Sequence, residues 1–169
     1  MKNSFFYSKI SLLLVVILAG CAGSHQQKIE TLITETKNTY VPDSRVNQFN
    51  VEVLNNSGTW VLKGETTLPE AKKALLENLA KDNITVTDNI TVLPDAALGA
   101  EIYGLVNNSV ANIRSLPKHS SQLATQALLG MPLKILKQEG GWYYVRTPDD
   151  YLSWVDGGGI QRMDKAGYE

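Results

Sequence analysis

The sequence holds one cysteine, Cys21, and two histidines, His25 and His119. No disulfide can form within the chain. No acidic and histidine spacing suggests zinc, so no metal or other cofactor is expected. A charge surplus is also absent. The formal net charge is −1, and no stretch gathers the Lys and Arg residues needed to neutralise several phosphates, which argues against nucleic acid as a partner. No apolar run reaches the ~20 residues of a membrane span. Global disorder is excluded as well, because 43% of the residues are hydrophobic and 20% charged, as in ordinary globular chains.

The N-terminus differs from the rest. Lys2 and Lys9 precede an apolar run from Ile10 to Leu18, and small residues follow. That order of charge, apolar core and small residues is that of a secretory signal. Leu18-Ala19-Gly20-Cys21 resembles the lipobox of bacterial lipoproteins, with the one cysteine at the cleavage point. The resemblance implies a signal peptide over residues 1–20, a lipid on Cys21 and a stable anchor of two or three chains, since one acyl chain alone holds only marginally. Ala22 rather than Asp follows, and by resemblance to enterobacterial sorting this implies the outer membrane, facing the periplasm. A lipidated Cys21 leaves no free thiol for catalysis.

Residues 21–48 are expected to be a flexible tether, polar and rich in Gln, Thr, Asn and Ser, within which Ile29, Leu32 and Ile33 share the face of a short helix over Lys28 to Glu35. The pattern changes at Phe49. Phe49, Val51 and Val53 alternate with polar residues as in a strand, Asn55-Asn56-Ser57-Gly58 is turn chemistry, and Thr59 to Lys63 completes a hairpin. Thr67 and Glu70 fit a capping box with Pro69 in the first helical turn, and Ala71, Ala74, Leu75 and Leu79 mark one helix face up to about Lys81. Ile84–Val86 and Ile90–Val92 read as strand broken near Asp88-Asn89. The unit, residues 49–97, is thus β-β-α-β, and its order resembles a BON-type module of exported bacterial proteins.

Residues 104–164 read as all-β. Leu105-Val106, Ser109–Arg114, Leu133–Ile135, Trp142–Arg146 and Tyr151–Val155 are short strands, with a polar loop at Pro117–Ser121 and a hairpin turn at Gly140-Gly141. Short strands between turn signals fit a small barrel, so the fold class expected is α+β, a small β-β-α-β unit followed by an SH3-like barrel.

The elements "VANIR", "TQALLG", "GGWYYV" and "YLSWVD" between Ser109 and Asp156 resemble the bacterial SH3 domain that precedes NlpC-type cysteine peptidases in Bacteroides-like bacteria. Those enzymes are γ-D-glutamyl-L-diamino acid endopeptidases (dipeptidyl-peptidase VI type) that trim cell-wall stem peptides. Their catalytic domain follows the SH3 module and supplies a Cys nucleophile and a His base. This chain stops at Glu169 and offers no such pair, so it is expected to be non-catalytic. Two readings stay open: a lipid-anchored module that binds peptidoglycan stem peptides or a wall-hydrolase partner, and the front part of such a peptidase.

The resemblance implies that Tyr151 reads the free amino end of the stem peptide. Gln122 stands where related sequences tend to carry Glu, and an amide can hydrogen-bond an ammonium but not pair with it. Asp150 stands where a turn glycine is common. Trp142, Tyr144 and Tyr151 suit either a peptide groove or barrel packing, whereas Trp154 and Val145 read as core. Tyr151, Trp142, Tyr144 and Gln122 are therefore the candidate ligand-binding residues. His119 reads as a solvated loop residue, and Asp149-Asp150 as a turn rather than a carboxylate pair.

Overall fold

The structure, a computed structural model, describes residues 25–169. The signal peptide and Cys21 lie outside the described residues. Helix α1 occupies residues 25–40, within the stretch expected to be tether. Ile29 is fully buried, with Leu32, Ile33 and Val41 beside it in one cluster with Phe49, Leu62 and Leu75. The polar composition belongs to the outer face of this helix, and its apolar stripe is long enough to dock. Burying each such side chain stabilises by ~1.5–3 kcal/mol, enough to order the segment.

Strands β1 (Phe49–Asn56) and β2 (Thr59–Thr66) form the expected hairpin, in which Gly58 takes φ 91° and donates its N–H to Asn55 Oδ1 at 2.8 Å. Helix α2 (Pro69–Lys81) follows, then β3 (Val86–Val92) parallel to β2, giving a three-stranded sheet of order β1-β2-β3. Ala71, Leu75 and Leu79 bury the expected face of α2. Two local expectations fail. The α2 cap residue is Leu68, with no side-chain cap. Thr67 Oγ1 instead accepts from Gln48 N–H at 2.9 Å, and Thr66 Oγ1 donates to Gln48 O at 2.8 Å, so both hydroxyls fasten the end of β2 to the start of β1. Strand β3 is continuous through Asp88-Asn89, because the parallel ladder with β2 holds Asp88 opposite Leu62 and Asn89 opposite Lys63.

The all-β half comprises β4 (Tyr103–Val106), β5 (Val110–Arg114), β6 (Leu123–Leu128), β7 (Pro132–Glu139), β8 (Trp142–Arg146), β9 (Leu152–Asp156) and β10 (Ile160–Met163), ending in the short helix α3 (Lys165–Tyr168). Their order in one sheet is β10-β4-β7-β8-β9-β5-β6. The α+β class therefore holds, but no closed barrel forms. Among the described residues, β6 and β10 are unpaired edges rather than neighbours. The sheet curls instead, helped by register shifts at Ile113/Arg114 and Ile135/Lys137. Ile113, Ile135, Val145 and Val155 fill its concave side. Asp150 takes φ 67°, the left-handed geometry expected of a glycine position, and donates its N–H to Thr147 O at 2.9 Å.

The shift in β7 buries two consecutive residues: Ile135 inside the curl, and Leu136 in a smaller cluster with Leu93 and Leu152. This smaller cluster joins the two halves. Around it Asp95 N–H donates to Leu136 O and Leu152 N–H donates to Arg45 O, each at 2.7 Å. Among the described residues no helix is long and apolar enough to cross a membrane.

Candidate functional site: a cleft between the two halves

The turns at both ends of β8 fix its registers. The Gly140-Gly141 hairpin places Glu139 opposite Trp142, and two pairs further back it places Lys137 opposite Tyr144. Across the next ladder Tyr144 faces Trp154. Lys137, Tyr144 and Trp154 therefore form one row across β7, β8 and β9. The Tyr144 and Trp154 rings lie 5.1 Å apart, and Lys137 Nζ stands 5.5 and 5.2 Å from their centroids. A cation held over two ring faces is favoured by their quadrupoles.

Lys137 reaches across to the α+β half. Its ammonium donates to Glu65 Oε1 of β2 at 2.5 Å, and Gln48 Nε2 donates to the same oxygen at 2.5 Å. Arg45, in the turn between α1 and β1, is locked by a bidentate pair with Asp43, whose carboxyl it holds down to about 2, and lies 5.7 Å from the Tyr151 ring. These groups border a cleft of about 560 Å³ whose walls also include Gln122, Ser153 and Asn50. Burial, with Glu65's negative charge second, pushes the Tyr144 phenol up to about 12, against a smaller opposing pull from Arg146.

Three of the four candidate residues, Gln122, Tyr144 and Tyr151, thus line one cleft. Trp142 does not. It sits one row further along, opposite Asp156, and borders a separate cleft of about 270 Å³. There His119 packs on it with ring centroids 5.0 Å apart and approaches Asp156 Oδ2 at 3.2 Å. Tyr151 is 38% exposed, whereas Trp154 is 7% exposed and Val145 fully buried, so both of the latter pack as expected. Sequence reasoning missed Glu65, Lys137 and Arg45. Lys137 was within reach by counting back from the glycine hairpin. Glu65 and Arg45 carry no local signal, since only the docking of the two halves brings them here.

Residues 113–159 match the family described as the bacterial dipeptidyl-peptidase SH3 domain. The segment is a bacterial SH3 domain of that kind. The match runs from β5 through the turn after β9, so the SH3 domain supplies Gln122, Lys137, Tyr144 and Tyr151 to the cleft, while Arg45, Gln48 and Glu65 come from outside the matched segment. No curated protein matches the chain. Among the described residues, none of the cleft's lining side chains is Cys or His, and no group of three metal-ligating side chains occurs. What the SH3 cleft presents is a carboxylate, two cations, amides and aromatic faces. Such a set offers charge, hydrogen bonding and stacking to a polar ligand.

Proposed function

We propose that this is a cell-envelope protein, held on a membrane by lipid at Cys21, whose SH3 domain binds or positions peptidoglycan stem peptides without cutting them. The carrying observation is the cleft where Gln122, Tyr144 and Tyr151 of the SH3 domain meet Glu65 of the α+β half. Gln122 lacks the charge to pair with an ammonium, yet the same cleft is lined by the Glu65 carboxylate, paired with Lys137. An exposed Tyr151 offers a stacking face, with the Arg45 guanidinium 5.7 Å from its ring. Lipidation at the lipobox places the protein in the outer membrane, facing the periplasm.

The test is cosedimentation of the purified soluble part with peptidoglycan. The expected result is recovery in the pellet, weakened by Tyr151→Ala and little changed by Trp142→Ala, since the two line different clefts. Wild-type protein left wholly in the supernatant would refute the binding reading.

A second reading is favoured by the matched family's description, which places such SH3 domains in dipeptidyl-peptidases. In it the chain is the front part of an NlpC-type γ-D-glutamyl-L-diamino acid endopeptidase, and the cleft forms one wall of that enzyme's substrate site. Reading the DNA past the codon for Glu169 decides it. An in-frame domain with a Cys and His pair supports this reading, and an immediate stop codon removes it.

A further inference from the structure

The solvent face of the three-stranded sheet carries two cross-strand rows. Glu65 is the cross-strand neighbour of both Asn50 and Thr91, and Lys63 of both Glu52 and Asn89. All except Glu65 are exposed, and Glu65 is half-buried. This face lines a groove of about 690 Å³ that also takes in Phe49 and Val51 of β1 and Ile33 and Lys37 of α1. The groove shares Asn50, Glu65 and Lys137 with the SH3 cleft, so the two cavities run into one another at the Glu65–Lys137 pair.

The charges along this floor are unequal. Lys137 is neutralised by Glu65 at the junction. Among the described residues neither Lys37 nor Lys63 has an ion-pair partner, although Glu52 is the cross-strand neighbour of Lys63. The groove therefore lines up amides and a hydroxyl that can bond a peptide backbone, and ends at two uncommitted ammonium groups against one carboxylate. A long polar chain entering from the aromatic end would meet that surplus cation last.

We infer that the α+β sheet is the second half of a composite binding groove, which takes the carboxylate-bearing end of an extended peptide at Lys37 and Lys63 while the SH3 cleft holds the other end. This rests on the peptide-binding reading above and adds to it the direction and chemistry of the ligand.

The probe is the synthetic peptide L-Ala-γ-D-Glu-diaminopimelate, compared with the same peptide amidated at its carboxylates, by calorimetric titration of the soluble chain. Wild type is expected to bind the acid form roughly three- to tenfold more tightly than the amide, as suits one or two partly solvated ion pairs. The double variant Lys37→Ala/Lys63→Ala should lose that preference, binding the acid and the amide forms equally. Tyr151→Ala should weaken both forms alike. Both lysines are exposed, so a thermal melt should show the variant folded. Binding of both peptides with no preference in wild type, or a preference that survives in the double variant, overturns this inference and leaves the SH3 reading standing. Failure of wild type to bind either peptide removes that reading and the inference with it.

Discussion

Gly64 sits in β2 between Lys63 and Glu65, with φ 137°, a conformation that L side chains rarely adopt. A Cβ added there would lie 2.0 Å from Asn50 O, 2.9 Å from Asn50 C and 3.0 Å from Val51 Cα, all backbone atoms of β1. No flexible side chain can swing aside, so Gly64→Ala must push β1 from β2 by roughly an ångström or more to restore normal contact. Gly58, in the turn of the same hairpin, is the natural control. It has φ 91°, but a Cβ there meets nothing within 4 Å. Gly58→Ala should cost the conformational strain alone, ~1–2 kcal/mol. Gly64→Ala adds several weakened ladder hydrogen bonds at ~1 kcal/mol each, for a total of about 4 kcal/mol. Against a typical domain stability of ~5–15 kcal/mol, that brings the sheet close to unfolding. Urea denaturation followed by tryptophan fluorescence reads both variants, since Trp60 lies buried in this core. Peptide binding should fall with Gly64→Ala as well, because Asn50 and Glu65 line the cleft. A Gly64→Ala loss no larger than that of Gly58→Ala would refute the reasoning.

Ile29→Ala should destabilise by ~2–4 kcal/mol in the same assay, the cost of a large-to-small change at a fully buried site, whereas a tether residue would cost nothing. Ultraviolet titration should show the Tyr144 phenol ionising near pH 12, and Glu65→Gln should bring it down part of the way because burial remains. The folded-state value is raised above the ordinary 10.0, so this group's contribution to stability is complete below pH 10 and lost as pH rises from 10 to about 12. Loss of that late transition in Tyr144→Phe checks the assignment. Cys21→Ser should release the protein from membranes, and normal fractionation of that variant would count against the anchor.

Local chemistry made the hairpins legible. Asn55–Gly58 and Gly140-Gly141 turn where their positive-φ tolerance requires. The stretch around Ile29 was less so. Three apolar positions in a polar background read as a short helix in a tether, because the docking that orders residues 25–40 comes from Phe49 and Leu62, far along the chain. Thr67 resembled a cap by its spacing to Glu70, but a hydroxyl near a strand end bonds whichever donor is closer, here Gln48 N–H. Strand β6, Leu123–Leu128, went unread because "LATQAL" lacks alternation strong enough to mark it. Within the cleft, resemblance named Tyr151 and Gln122, and aromatic character named Tyr144. Glu65 depended on the packing of one half against the other, which no single-segment pattern encodes.

The ordered α1 also bears on the proposed lipid anchor at Cys21. Cys21 and the first described helical residue, His25, are four peptide steps apart, and four residues stretched to their limit span ~14 Å. With Cys21 acylated, such a leash is shorter than the helix it leads into, which at 1.5 Å per residue runs ~24 Å. On the proposed anchor, the body would then stand near the bilayer surface rather than at the end of a long leash.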